Sequence, residues 1–128
     1  MSSDFLKLAD VLAIHEDLIS QYGGSHGLRD AGQLEAALFR PQSGYYDDII
    51  AQASALWESL SQNHPFIDGN KRVAFASMLV FLEINNVTIT ANENEVWEFL
   101  SALYAKNNFS FEIIDVWLRQ NTQLGIAV

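Results

Sequence analysis

Residues 73–84 form an almost unbroken apolar run, and this run constrains the fold more than any other feature of the chain. A helix over these residues has almost no polar face, and a helix that is apolar all round belongs in the centre of a fold. The run is about twelve residues long, which is too short to span a bilayer and suits a buried helix. We therefore expect a central helix from about Asn70 to Ile84.

Most of the remaining chain repeats apolar residues at a spacing of three to four, which is typical of amphipathic helices. The pattern indicates a helix from Leu8 to Tyr22 ended by Gly23-Gly24, a short one capped by Asp30 and stopped near Arg40-Pro41, one from Ile49 to about Asn63, one capped by Asn92 with Glu95, and one capped by Ser110. Residues 87–90 read as a short extended segment. The sequence predicts a single all-α domain over residues 1–128, a compact bundle around a central buried helix with at most a short β segment.

The composition narrows the classes of function. The net charge is −9, and a surface this negative repels phosphate backbones, which argues against direct nucleic-acid binding and against a helix-turn-helix regulator. The absence of cysteine excludes disulfides and zinc-thiolate sites and fits a reducing compartment. Nothing at the start of the sequence reads as a secretory leader. We expect a cytoplasmic protein without a membrane segment.

Nine polar-rich residues, His64 to Arg72, stand directly before the apolar run. The first N–H groups of a helix lack partners, and its dipole places positive potential there. Gly69 allows a tight turn that lets these amides converge on an anion. Lys71 and Arg72 add formal positive charge, although cations at a helix start oppose the dipole at a cost of about 0.3–1 kcal/mol each. Because of that cost, we interpret the stretch as a site for a di- or triphosphate.

Two further residues of the stretch suggest chemistry. Asp68 would repel a phosphate unless a magnesium ion lies between them, and magnesium typically takes one or two carboxylates together with phosphate oxygens. His64 is suited to accept a proton from an attacking hydroxyl at neutral pH. The pattern predicts transfer of a phosphate-containing group to a hydroxyl.

Structural alternatives remain for these residues. His64 before Pro65 is often an ordinary loop residue, and Asp68 and Asn70 are common helix caps. Lys71 and Arg72 could also be a solvated surface pair, although the cost of placing cations at a helix start argues against it. The other two histidines, His15 and His26, have no comparable neighbours in sequence and are expected to be structural or surface residues.

His64 to Arg72 resembles the signature of the Fic/Doc family, His-Pro-Phe-x-x-Gly-Asn-Gly-Arg-x-x-Arg. The resemblance continues outside this stretch: Gly27 to Asp30, Leu34 to Leu38 and Arg40 to Gln42 are similar to the upstream region of the Doc (death-on-curing) branch, and Phe81 to Asn85 extends the match. The resemblance covers most of the chain and implies the compact helical Fic/Doc fold.

Two departures from the general signature indicate the branch. Lys71 replaces the Gly that follows Gly-Asn, and Phe75 occupies the position of the second Arg. Most Fic proteins transfer AMP from ATP to a protein hydroxyl, and that Arg helps to hold the γ-phosphate. The resemblance to Doc implies an inverted ATP, whose γ-phosphate goes to a Ser or Thr of a translation factor such as elongation factor Tu, arresting translation. AMP transfer and a non-catalytic phosphate- or peptide-binding module remain alternatives.

The resemblance also implies roles and partners. His64 would deprotonate the target hydroxyl, Asp68 would hold Mg²⁺, and Gly69 and Asn70 would cradle the phosphates of ATP. Lys71 and Arg72 would bind phosphate and stabilise the charge that develops in transfer. Residues 41–46 lie where the family places a flap that aligns the target. The inhibitory Ser/Thr-x-x-x-Glu-Gly/Asn motif of many Fic proteins has no match here, so a Phd-type antitoxin is expected to inhibit in trans.

Overall fold

The computed structural model describes residues 3–125, which form a helical bundle with one small sheet. The helices are α1 (Leu8–Tyr22), α2 (Ala31–Phe39), α3 (Ile49–Gln62), α4 (Asn70–Ile84), α5 (Glu93–Ala105) and α6 (Phe111–Gln120), with a turn of 3₁₀ helix at Arg40–Gln42. Strands β1 (Val87–Ile89) and β2 (Thr122–Leu124) pair antiparallel. This confirms the predicted all-α class with a short β segment.

The helix boundaries follow the signals in the sequence. Asp30, Asn92 and Ser110 each cap a helix as predicted. In the capping box of α5, the Glu95 amide donates to Asn92 Oδ1 over 2.9 Å and the Asn92 amide donates back to Glu95 Oε1 over 3.0 Å. Gly23 follows the last residue of α1, and its φ of 85° is a conformation that residues with a side chain rarely adopt. Local signals therefore account for these helix boundaries.

Helix α4 lies in the centre and packs against α1, α3 and β1. One side of it is buried, through Val73, Ala74, Ser77, Met78, Phe81 and Leu82. The sequence predicted burial on all sides, but the opposite side is only partly covered, because α1 and α5 flank it without closing over it. Phe75 and Leu79 are half-buried there. An apolar helix face is therefore open next to the start of α4.

The sheet was predicted only in part. Val87 pairs with Leu124 and Ile89 with Thr122. Strand β2 is three residues long and carries no turn signal of its own, so its existence depends on contact with a segment far away in sequence. An isolated antiparallel bridge between Leu28 and Phe66 likewise joins distant segments.

One hydrophobic core gathers residues from every helix. Trp57 is fully buried and its ring contacts those of Phe75, Phe109 and Trp117. Phe66 is 1% exposed, so it anchors the loop before α4 in this core. Among the helices of residues 3–125, none has the length and apolar character needed to cross a bilayer.

Candidate active site

A cavity of about 410 Å³ opens at the N-terminus of α4 and is called the motif cavity below. Its lining contains all six residues that the sequence singled out as site residues: His64, Asp68, Gly69, Asn70, Lys71 and Arg72. The remaining lining residue is Ile67, which is 58% exposed. The folded chain therefore brings the predicted groups around one space.

The start of α4 leaves its first backbone N–H groups available. Gly69 occupies the cap position in the left-handed conformation, with φ 76° and ψ 18°. Glycine has no side chain to accept from those amides, and in the described structure no side chain caps α4. The alternative in which Asp68 or Asn70 caps this helix is therefore not what the structure shows. An uncapped helix N-terminus beside two cations is suited to an anion.

Asn70 closes the loop that precedes α4, residues 64–69, called the motif loop. The Phe66 amide donates to Asn70 Oδ1 over 2.9 Å, and Asn70 Nδ2 donates to the Phe66 carbonyl over 3.0 Å. The side-chain amide thus replaces a pair of backbone hydrogen bonds. A contact of Asn70 with phosphate stays a prediction, and its demonstrated interaction is with the loop.

Residues 27–30 clamp the motif loop from the side. The amides of Arg29 and Asp30 donate to the Pro65 carbonyl over 2.8 and 3.0 Å, and the Ile67 amide donates to the Gly27 carbonyl over 3.1 Å. The Arg29 guanidinium donates to the carbonyls of His64, over 2.7 Å, and Asn63, over 3.0 Å. Sequence reasoning noted this segment only as part of the family resemblance and gave Arg29 no role.

His64 has an unusual backbone and an accessible ring. Its φ is 49°, in the left-handed region that non-glycine residues seldom adopt. Such strain costs on the order of 1–3 kcal/mol and persists only where the surroundings hold it, as the Arg29 hydrogen bond does here. The side chain is exposed, and the hydrogen bonds of residues 3–125 include none to its ring. The imidazole is therefore accessible at the motif cavity.

The Asp68 carboxylate is oriented by two backbone amides. Oδ1 accepts from the Gly69 amide over 2.9 Å and Oδ2 from the Ser25 amide over 3.2 Å, which leaves lone pairs on both oxygens. No set of three His, Cys, Asp or Glu side chains gathers around a common point in the described residues. Asp68 therefore fits a cation that takes most of its ligands from phosphate and water, as magnesium does, and not a protein-enclosed metal.

Each cation at the start of α4 lies over an aromatic ring. Lys71 Nζ is 4.3 Å from the centroid of Tyr104, on α5, and Arg72 Cζ is 5.1 Å from that of Tyr22, at the end of α1. An aromatic face attracts a cation without neutralising its charge. Both cations line the motif cavity, so their positive charge remains available to phosphate.

A second cavity of about 560 Å³ adjoins the first and is called the apolar groove. Its walls come from α1, α4 and α5: Leu18, Tyr22, Lys71, Arg72, Phe75, Ala76, Leu79, Trp97, Leu100, Ser101 and Tyr104. Phe75, at the position of the second signature Arg, packs edge-on against Trp57 with ring centroids 5.4 Å apart. This position therefore presents an apolar surface where the general signature has a phosphate-binding cation.

The sequence model of the Fic/DOC family matches residues 5–82, which is more than half of the chain. The chain belongs to the Fic/Doc family. It is similar to Toxin Doc of Mycolicibacterium smegmatis, with 42% identity over 76 residues, covering 56% of this chain and 58% of that protein. It is also similar to Protein kinase doc of Escherichia phage P1, with 37% identity over 84 residues, covering 62% of this chain and 67% of the phage protein.

The family match confirms the resemblance seen in the signature, and it ends at residue 82. The matched part of this Fic/Doc protein contains the motif loop, its clamp at residues 27–30 and most of α4. Trp97 and Tyr104, which form the α5 wall of the apolar groove, lie beyond it. The chain spans less than two thirds of the length of the mycobacterial toxin.

Proposed function

We propose that this Fic/Doc protein transfers the γ-phosphate of ATP to a Ser or Thr hydroxyl of a protein substrate. The main support is the position of Phe75 and Lys71 beside the motif cavity. Phe75 removes the cation that holds the γ-phosphate in AMP-transferring relatives, and Lys71 places an ammonium group where those relatives have no side chain. The similarity to a phage protein named as a protein kinase supports the same class of reaction.

In the proposed reaction His64 accepts the proton of the target hydroxyl. The hydroxyl oxygen attacks the γ-phosphorus, the bond from that phosphorus to the β–γ bridging oxygen breaks, and ADP leaves. Lys71, Arg72 and the first amides of α4 stabilise the negative charge, and such positioning and electrostatics supply most of the catalysis in phosphoryl transfer. Asp68 is the residue that would hold magnesium, which when bound neutralises phosphate charge and orients the triphosphate.

We further propose that the protein is a toxin that arrests translation, with an elongation factor Tu-like protein as target. The similarity to a protein named Toxin Doc supports the toxin class. In the described structure, the nearest sequence to an inhibitory Fic motif, Ser54 to Ser59, lies in α3 with both serines buried. Glu58, in the same segment, forms a salt bridge with Arg40, whose Nη1 donates to Glu58 Oε1 over 2.8 Å. Inhibition therefore falls to a partner, which we propose is a Phd-type antitoxin.

The apolar groove is the site that we propose for the antitoxin. Trp97 is 72% exposed and Tyr22 61% exposed, and both line this groove. Lys71 and Arg72 lie where the groove meets the motif cavity. An apolar antitoxin segment with a carboxylate at that end complements both the surface and the charge, and it would cover the cations needed for catalysis.

The deciding experiment uses ATP labelled in the α or the γ position, with purified protein, magnesium and a panel of translation factors that includes elongation factor Tu. The proposal expects label to move from the γ position only and to be lost with His64→Ala. Movement of the α label instead would establish AMP transfer. If ATP binds and neither label moves to any translation factor, the protein is a binding module and the proposal is wrong.

A further inference from the structure

His15, on α1, is a buried histidine that the proposed reaction does not use. Its side chain is 3% exposed, and Nε2 lies 2.8 Å from the carbonyl oxygen of Asp68, 53 residues away in sequence. Its ring is stacked on Phe66 with centroids 3.8 Å apart and planes 9° apart. The sequence suggested a structural or surface residue, and the fold buries this side chain directly beneath the motif loop.

The hydrogen bond of His15 acts on one peptide unit. A carbonyl oxygen only accepts, so Nε2 carries the proton and donates to Asp68. The peptide bond is planar, and the same unit contains the Gly69 amide, which donates to Asp68 Oδ1 over 2.9 Å. Holding the carbonyl therefore also sets the direction of the N–H group that orients the carboxylate.

The turn after α1 holds the other carboxylate oxygen. The Ser25 amide donates to Asp68 Oδ2 over 3.2 Å, and a Cβ at Gly24 would lie only 2.7 Å from the same oxygen. Ile19, one turn after His15, lies against the motif loop, since its Cδ1 would be 3.2 Å from a Cβ at Gly69. Helix α1 and its turn thus contact both the main chain and the side chain of Asp68.

We propose that His15 is a positioning residue that sets the direction of the Asp68 carboxylate through the peptide unit between Asp68 and Gly69. The inference rests on the proposed function in one respect, namely that Asp68 is the residue that binds magnesium. Some residues do not contact a metal but fix the orientation of its ligand through hydrogen bonds. Replacing such a residue typically lowers metal affinity or activity by about 10–100-fold.

Two substitutions separate the hydrogen bond from the packing of the ring. His15→Phe keeps a flat ring against Phe66 and removes the donor, whereas His15→Gln keeps a donor and removes the ring. Val11→Ala is the matched control, because Val11 is a fully buried residue of the same helix and does not line the motif cavity. It measures what a loss of core packing in α1 does by itself.

The first readout is the binding of Mn²⁺, as a spectroscopic substitute for magnesium, to the full chain with non-hydrolysable ATP, followed by electron paramagnetic resonance. We expect His15→Phe to weaken this binding by about tenfold. His15→Gln should recover most of it and Val11→Ala should leave it unchanged. If His15→Phe and Val11→Ala have the same effect, the residue is only structural; if His15→Gln is as weak as His15→Phe, the donor is not what matters.

The second readout needs neither metal nor activity. Hydrogen exchange of the Gly69 and Ser25 amides in the metal-free protein reports whether the carboxylate is still held, and His15→Phe should accelerate both more than Val11→Ala does. Unchanged exchange in His15→Phe would overturn the inference. A wild type that binds Mn²⁺ but transfers no label would refute the proposed function, and the two readouts would still decide the role of His15. A wild type that binds no Mn²⁺ would end the metal role of Asp68 and, with it, this inference.

Discussion

The ammonium group of Lys71 lies 4.3 Å from the centroid of the Tyr104 ring. That ring is fixed by its own contacts, since the Tyr104 hydroxyl pairs with Ser61 Oγ over 2.9 Å and the ring stacks on Phe109 with centroids 5.1 Å apart. Burial raises the pKa of the Tyr104 hydroxyl, so it stays protonated at neutral pH. Lys71, one of the two residues that distinguish this signature from the general one, is therefore positioned by α5.

Replacing Tyr104 should impair catalysis through Lys71. A cation over a ring at a partly exposed site is worth about 0.5–1 kcal/mol, so Tyr104→Leu should lower kcat/KM for ATP by roughly two- to fivefold. Tyr104→Phe keeps the ring and should retain most of the activity. Steady-state transfer of the γ label measures both. Equal losses in the two variants would attribute the effect to the Ser61 hydrogen bond instead.

Lys71→Gly tests which phosphate is transferred. The variant restores the glycine of the general signature and frees space beside the motif cavity. We expect γ-phosphate transfer to fall and AMP transfer to appear, and the double variant Lys71→Gly, Phe75→Arg to transfer AMP more strongly. Parallel reactions with α- and γ-labelled ATP measure the two products. Unchanged phosphorylation in Lys71→Gly would mean that Lys71 does not determine the pose of ATP.

Arg29→Met should destabilise the motif loop. It removes the guanidinium donor from the carbonyls of His64 and Asn63, and because both hydrogen bonds are exposed and water can replace the donor, the loss should be about 0.5–1.5 kcal/mol. Because the left-handed backbone of His64 depends on this support, kcat should fall while the affinity for ATP changes little. Urea unfolding and steady-state kinetics measure the two effects. Arg29→Lys retains a single donor group, so its stability and its kcat should lie between those of Arg29→Met and those of the wild type.

Trp97→Ala should weaken antitoxin binding. A large aromatic side chain at the centre of an interface commonly contributes about 2 kcal/mol, which corresponds to roughly a 30-fold loss of affinity. Val116→Ala is the control, since Val116 is 55% exposed on α6 and does not line the apolar groove. Calorimetric titration with a Phd-type antitoxin compares them. Equal affinities for Trp97→Ala and the wild type would place the partner elsewhere.

Asp48 should make stability depend on pH in the acid range. It caps α3 by accepting from the Ala51 amide over 2.8 Å, and Arg119 donates to both of its oxygens over 3.0 and 3.1 Å. The hydrogen bonds from Arg119 lower the pKa of this carboxyl from its ordinary 3.8. The stabilisation is therefore fully present above 3.8 and is lost as the pH falls through the lowered value in the folded protein.

Two variants separate the cap of α3 from its ion pair. Asp48→Asn keeps an equally good cap and should lose about 0.2–1 kcal/mol at neutral pH, because the pair is half exposed. Asp48→Ala should lose about 1 kcal/mol more. In urea unfolding, the difference between the wild type and Asp48→Asn should vanish well below pH 3.8. A difference that persists in acid would contradict the ion-pair explanation.

The sequence predicted those structural features that depend on residues adjacent in the chain. Adjacent residues encode the caps Asp30 and Asn92 and the start of α4 that we predict to bind an anion. The structure shows both caps and leaves the start of α4 uncapped. The roles of Arg29 and His15 were not predictable in this way. Their partners lie 35 and 53 residues away, and no residue adjacent to either side chain indicates that partner.

The open face of α4 was missed for a related reason. Apolar content indicates that a helix can be buried, but it does not say how far its neighbours extend over it. Phe75 and Leu79 are half-buried because α1 and α5 leave the apolar groove between them. The second strand, Thr122–Leu124, was not predicted for the same reason, since its pairing with β1 is a tertiary contact.

The double hydrogen bond between Asn70 and Phe66 ties the motif loop to the helix at the centre of the core. The loop cannot fray while α4 stays packed, so it should open only when the whole domain unfolds cooperatively. Weakening the core at a distance should then lower the fraction of competent molecules without altering the molecules that remain folded. Loss of activity on heating would follow the global unfolding curve, with no earlier inactivation step.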